Sequence, residues 1–418
     1  MKQIKRDIYL NRLINRKENG LIKVVTGIRR CGKSYLLDPL FINYLKSIGV
    51  KDDHIIKLEL DKEQNRKYLD AKILDKYIRS KVTDKDMYYI ILDEIQLVAG
   101  FEYVLNGFLY ERNMDVYVTG SNSKFLSSDI ITEFRGRGDQ VRVFPLSFSE
   151  YLSCYDGDKY EAWADYVTYG GLPLILSKKT DEEKSQYLKD LFKETYVKDI
   201  VDRNNISRVD ILDSIINMLA SSVGSLTNPQ KIYNAFKSNG EKELSLNTIN
   251  LYLKNIEDAF IVNKSLRYDI KGKKYIQTPQ KYYFTDVGLR NARLNYRQQE
   301  ESHLMENIIY NELLVRGYNV DVGVVEQNVK NKDGKSERKQ LEVDFVCNLG
   351  NKRYYIQSSL NLETREKTIQ EERSLMNIGD NFKKIIVVKD IIKPWITEEG
   401  ISVIGIMDFL LNPDSLDL

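Results

Sequence analysis

Histidine, cysteine and proline are scarce in this chain of 418 residues. Only His54 and His303 carry an imidazole, only Cys31, Cys154 and Cys347 carry a thiol, and there are seven prolines. A His/Cys zinc centre or a nucleophile relay through His needs residues that are barely present. The three cysteines have no CxxC spacing, so neither a disulfide framework nor a metal knuckle is expected. Neither sign of charge dominates. Lys and Arg number 63 against 61 Asp and Glu, a net charge of +2. That balance excludes a globally basic nucleic-acid coat and a polyacidic tail, and leaves room for a local basic patch. Long hydrophobic runs are also missing. No window approaches the ~20 apolar residues that cross a bilayer. The basic start MKQIKRDIYL is not followed by the apolar segment of a secretory signal. The expectation is a cytoplasmic protein with no membrane partner, whose chemistry rests on Lys, Arg, Asp, Glu and Ser. With 42% apolar and 30% charged residues the composition is that of a globular chain, and its length suggests two to four domains.

The first third alternates β-branched apolar runs with amphipathic stretches. LIKVVTG (21–27), HIIKLEL (54–60), MYYIILD (87–93), MDVYVTG (114–120) and QVRVFPL (140–146) read as strands. KSYLLDPLFINYLKSIG (33–49) and EYVLNGFLYERN (102–113) read as helices, which predicts a parallel sheet covered on both faces. From about 147 apolar residues recur at three and four spacing, as in amphipathic helices. Three more helices follow between 206 and 260. NPQ opens the second with an Asn cap and Pro, and a Ser caps the third. Two alternating segments joined by KGK come next. From about 293 a helix precedes four strands, interrupted by a polar loop, EQNVKNKDGKSERKQ.

The sharpest motif is Gly27, Ile28, Arg29, Arg30, Cys31, Gly32, Lys33, Ser34, followed by Tyr35. It matches G-x-x-x-x-G-K-[ST], after a strand and before a helix, where a phosphate-binding loop must sit. Glycines let backbone N–H groups wrap a phosphate. Lys33 reaches its oxygens, Ser34 offers a hydroxyl to Mg²⁺, and the helix N-terminus favours the anion. Asp93 and Glu94 close the apolar run YYIILD, sixty residues after Lys33. Asp93 is placed to hold Mg²⁺ through water and Glu94 to polarise an attacking water. The next strand ends at Val118, Thr119, Gly120, with Ser121 and Asn122 beyond it as candidate sensors of the γ-phosphate. Arg135 and Arg137 in FRGRG are candidates to neutralise transition-state charge, in cis or on a neighbouring subunit, and Arg137 is preferred.

TGIRRCGKS, IILDEIQ, VTGSNS, FRGRG, VFPLSFSEYL and YGGLP together resemble a large prokaryotic group of AAA+ ATPases related to archaeal and STAND-type ATPases. Its members carry an ATPase core and a C-terminal domain of long-uncharacterised function. The resemblance implies ATP as the nucleotide and Mg²⁺ as its metal. It also makes the Gly136-Arg137 pair and the PLSFSEY segment (145–151) the passage into a helical lid.

Residues 206–292 resemble a winged helix and hold 12 basic against 8 acidic residues. Between 264 and 281 stand Lys264, Arg267, Lys271, Lys273, Lys274 and Lys281, offset by Asp269 and interleaved with Tyr268, Tyr275, Tyr282 and Tyr283. Lys271, Lys273 and Lys274 are the candidate DNA contacts. The last unit resembles a restriction-endonuclease-like, PD-(D/E)xK fold, with Glu306 on its helix, Asp344 on a strand and Gln357 on the next. Ser359 stands where such a nuclease has its Lys. Either Lys367 on the following helix replaces it, or cleavage is lost and the fold is kept for binding.

The expected architecture is therefore α/β: a P-loop NTPase (AAA+-like) parallel sheet core (1–146), a helical lid (147–205), a winged helix (206–292) and a nuclease-like α/β domain (293–418). The expected function is ATP hydrolysis that drives or switches the C-terminal domains on DNA. Alternatives are a remodeller of protein partners with a dead nuclease-like domain, and an ATP-dependent nuclease. An arginine acting in trans would require a homo-oligomer.

Overall fold

The computed structural model describes residues 3–120, 136–241, 243–298, 300–330, 336–390 and 392–417. The chain divides into two compact units. The first is Met1–Pro145 with Leu172–Leu174 and Asp258–Phe260, and the second is the remainder.

Five short strands form the sheet of the first unit: β1 (Ile22–Thr26), β2 (Ile55–Glu59), β3 (Tyr88–Asp93), β4 (Met114–Gly120) and β5 (Gly138–Arg142). All pairings are parallel, in the order β2-β3-β4-β1-β5. Every residue of β1 and β3 is buried, as expected where helices cover both faces and strands read as continuous apolar runs. Lys23 is the exception in chemistry but not in burial. It is fully buried and ion-paired with Asp115, which also accepts hydrogen bonds from Tyr117 Oη (2.8 Å) and Glu18 N (3.0 Å).

The helix expected over 33–49 is interrupted. It is α-helical at Lys33–Tyr35 and again at Ile42–Ser47, with a wider turn at Leu36–Phe41 in which Asp38 is extended. Pro39 is the cause, because it has no N–H to donate and its ring pushes the preceding residue out of the helical region.

The second unit opens with the helices Phe148–Cys154, Lys159–Tyr169 and Asp181–Asp190, each with a complete capping box, from Ser147, Asp158 and Thr180. Helices Val209–Ser221, Pro229–Ser238 and Leu246–Asp258 follow, the second capped by Asn228 as its sequence predicts. Then comes a sheet of eight strands: β6 (Val262–Asp269), β7 (Lys274–Phe284), β8 (Asn319–Lys330), β9 (Ser336–Leu349), β10 (Lys352–Ser359), β11 (Lys383–Val388), β12 (Trp395–Ile396) and β13 (Ser402–Gly405). Their order is β12-β13-β11-β10-β9-β8-β6-β7.

Two features of this second unit depart from the sequence reading. The polar run 326–340 is mostly strand, with Glu326 opposite Gln340 and Lys330 opposite Ser336. Backbone pairing started by the buried segment Val322–Val325 continues outward into a ribbon whose residues 336–340 are exposed, so polarity alone does not mark a loop. The hairpin β6–β7 is also not confined to the helices before it. Arg267, Tyr268 and Asp269 of β6 pair in parallel with Val322, Gly323 and Val324 of β8. A boundary at 292/293 thus falls within one continuous sheet.

Candidate functional site

The carboxyl ends of β1, β3 and β4 lie on one edge of the first sheet, and β4 runs between the other two. Ligands of open parallel sheets bind at this edge. β1 leads into the loop Gly27–Gly32. Gly27 has φ +142° and a Cβ there would lie 2.0 Å from the Val143 carbonyl oxygen, so no other residue fits. Arg30 and Gly32 also take positive φ, which turns the loop back on itself. Ile28 and Cys31 are buried, and Cys31 Sγ donates to Val143 O (3.4 Å). Arg30 and Ser34 are exposed, and Arg29 and Tyr35 half-buried. Lys33 is buried at the loop mouth, where Nζ donates to the carbonyls of Gly27 (3.0 Å) and Ile28 (3.2 Å). Pro173, in the segment that returns to this unit, lies 3.9 Å from where a Cβ on Gly32 would be.

Asp93 ends β3 and Thr119 is the penultimate residue of β4. The Thr119 hydroxyl donates to Asp93 Oδ1 and accepts from Glu94 N (2.8 Å). Glu94 sits in the left-handed region at φ 56°, and Gln96 Nε2 donates to its carboxylate. A non-glycine residue held there is strained and over-determined by its surroundings. Burial pushes the Asp93 carboxyl up from its usual range, offset by hydrogen bonds from Thr119 and Ser34. A metal cation beside Asp93 would reverse that shift. The set of a lysine ammonium, a serine hydroxyl and a buried carboxylate fits a nucleotide phosphate with Mg²⁺, and Ser34 and Asp93 are the groups that would hold the metal.

Thr119 and Gln96 were not singled out in the sequence. A polar residue near the end of an otherwise buried apolar strand was the available signal for Thr119. Ser121, Asn122 and Arg135 lie outside the described residues. Arg137 is placed elsewhere. Its carbonyl accepts from Ile22 N (2.9 Å) at the start of β1, and its guanidinium lies 5.8 Å from the Tyr110 ring. Because β5 is parallel to β1, Arg137 is at the end of the sheet opposite the loop, about 20 Å away along the strands. A contact in cis with a γ-phosphate is therefore ruled out by topology.

In the second unit Glu306 and Asp344 come together, on the helix Glu301–Val315 and on β9. Between them lies Lys281 of β7, which is buried, not solvent-facing as its place in the basic run suggested. Tyr282 and Tyr283 are also buried, and Arg267 donates to Gln340 Oε1 (3.1 Å). Gln357 Oε1 accepts weakly from Asp344 N and Ser374 Oγ, both 3.4 Å. Lys367 pairs with Glu371 on its own helix. Lys271, Lys273 and Lys274 are exposed at the hairpin tip, and Lys271 Nζ donates to the Glu326 carbonyl (3.1 Å).

A family model described as an AAA domain matches residues 19–152, which include the loop, Asp93, Glu94 and Thr119. A second, described as a domain of unknown function, matches residues 160–300. An uncharacterised protein of Haemophilus influenzae is 34% identical over 417 residues, covering 98% of this chain and 99% of its own length. The chain belongs to that protein's family, a family with an AAA domain. An uncharacterised protein of Methanocaldococcus jannaschii is 26% identical over 410 residues, 93% of this chain and 86% of its own. Among solved structures, AMPPCP-bound DnaA from Aquifex aeolicus aligns with a TM-score of 0.31 at 12% identity, over 59% of this chain and 92% of that one. Aeropyrum pernix Orc1 in complex with DNA aligns with a TM-score of 0.29 at 12% identity, over 70% and 93%. Among the described residues, no helix is long and apolar enough to cross a membrane.

Proposed function

We propose that this AAA-family chain hydrolyses ATP to ADP and phosphate at the Gly27–Ser34 loop and uses the cycle to drive or switch its C-terminal elements on DNA. The observation that carries the reading is the convergence of Lys33, Ser34, Asp93, Glu94 and Thr119 at one sheet edge. On ATP binding, Lys33 would exchange its loop carbonyls for phosphate oxygens. Mg²⁺, when bound, supplies charge neutralisation at those oxygens. Glu94 would accept a proton from the attacking water, with Thr119 fixing the Asp93–Glu94 backbone. Arg137 would contribute only to a neighbouring copy's site.

The four-part division, with lid, winged helix and nuclease-like domain, is part of this proposal. Three helices followed by a hairpin, with Thr227 bridged to Gln280, support the winged helix. The order helix, three antiparallel strands, helix, parallel strand over 301–388 supports the nuclease-like part. The exposed Lys271, Lys273 and Lys274 fit phosphate contacts.

Phosphate release with and without duplex and single-stranded DNA, over a salt series, tests the reading. Stimulation by DNA, loss of nucleotide binding in Lys33→Ala, and retained binding without turnover in Glu94→Gln are expected. Turnover unaffected by both variants would refute the ATPase assignment. Turnover indifferent to DNA would favour a protein target. That second reading has one observation in its favour: the acidic centre of the C-terminal part already contains a lysine.

A further inference from the structure

The buried centre around Lys281 is built from five elements far apart in sequence. Lys281 is 3% exposed, and its Nζ lies 2.8 Å from Glu306 Oε1, 2.7 Å from Glu342 Oε1 and 3.8 Å from Asp344 Oδ1. The ammonium thus faces all three carboxylates at once. Two further bonds hold these acids in place. Tyr283 Oη donates to Glu306 Oε1 (2.6 Å), and the Ser358 amide donates to Asp344 Oδ2 (2.8 Å). Gly224, at φ +70°, covers the centre. A Cβ on it would come within 3.1 Å of Glu306 Oε2.

In a fold of the proposed nuclease-like kind, the helix and strand acids would be bridged by a divalent cation, and a lysine would stand on the next strand. Here that strand position is Ser359, whose hydroxyl donates to the Asn361 carbonyl (2.9 Å) and not toward Asp344. Lys281 arrives instead from a strand earlier in the chain and lies between the acids themselves. A tetrahedral ammonium that hydrogen-bonds several carboxylates does the cross-linking that a cation would do. A metal bridging the same acids would come up against this ammonium, which already faces all three and repels a second cation.

We infer that Lys281 is the resident cation of this centre, taking the place of a divalent metal, so that the C-terminal domain works without metal-dependent phosphodiester cleavage. The inference rests on the nuclease-like reading for where a metal would go, and the experiment separates the two. Mn²⁺ binding to the full chain without nucleotide is measured by the paramagnetic resonance signal of free Mn²⁺. The comparison is between wild type, Asp344→Asn, Lys281→Met and the double variant. Wild type and Asp344→Asn should bind Mn²⁺ equally, and wild type should leave plasmid DNA uncut in Mn²⁺. Lys281→Met should gain one Mn²⁺ site that the double variant lacks.

A wild-type Mn²⁺ site or plasmid cutting that Asp344→Asn removes would overturn the role of Lys281 and uphold the nuclease-like reading. A folded Lys281→Met that gains no Mn²⁺ would overturn the nuclease-like reading of the centre. Should Lys281→Met fail to fold, the wild-type and Asp344→Asn comparison decides alone.

Discussion

Replacing Thr119 with Val keeps the shape of a fully buried side chain and removes one hydroxyl. That hydroxyl serves both acids of the proposed ATP site, donating to Asp93 and accepting from Glu94 N at 2.8 Å. A hydrogen bond to an ionised group contributes about 1.5–3 kcal/mol, and an orphaned buried N–H costs about 1–3 kcal/mol. Glu94 N is not sealed from water as deeply as Thr119, so the first figure is the better guide. If that amount is lost in the transition state alone, about 1.4 kcal/mol per tenfold gives a kcat lower by about 10- to 100-fold. Nucleotide affinity rests on the loop and Lys33, which Thr119 does not touch, and should stay within about twofold. Thr119→Ser should recover most of the rate, since it restores the oxygen. The assay is phosphate release at saturating ATP, with affinity from a fluorescent ATP analogue. A Thr119→Val chain that turns over at the wild-type rate, while Glu94→Gln does not, would refute the role given to this hydroxyl.

Asp115→Ala leaves the Lys23 ammonium buried without its counter-charge, and should destabilise the first unit by about 3–5 kcal/mol, read as a lower denaturant midpoint. Gly27→Ala drives a methyl into the Val143 carbonyl, and calorimetry should find ATP binding abolished. Gly224→Ala should cost about 1–2 kcal/mol from its left-handed backbone, again as a shifted midpoint. Arg137→Ala should leave ATP affinity unchanged, and should lower turnover only at protein concentrations where light scattering detects self-association.

The strands of the first sheet were legible because β1 and β3 are buried on both faces and read as mainly apolar, β-branched or aromatic runs. The loop was legible because its glycines and Lys33 obey a spacing set by phosphate geometry. What sequence could not express is which residues meet from separate strands. Thr119 matters because β4 lies between β1 and β3, a fact of strand order rather than of any window. The choice between a cis and a trans role for Arg137 was hidden for the same reason: chain proximity to the sheet is not proximity to its carboxyl edge. Lys281 stands among basic residues in sequence, yet its partners are at 306, 342 and 344. The faint signal was alternation, since Lys281 shares a strand face with the buried Tyr283.

The hairpin β6–β7 has a consequence for how this protein can be taken apart. A chain cut after residue 292 would keep the hairpin and lose β8, exposing the backbone edge of β6 that now pairs with it. The same cut would remove all three acids that face Lys281. Such a fragment is a poor candidate for separate expression, and its bare edge invites aggregation. The helical trio and the segment that follows are then a single heritable cassette. Recombination could exchange them between relatives only as a pair, because the hairpin and the six strands after it form one sheet.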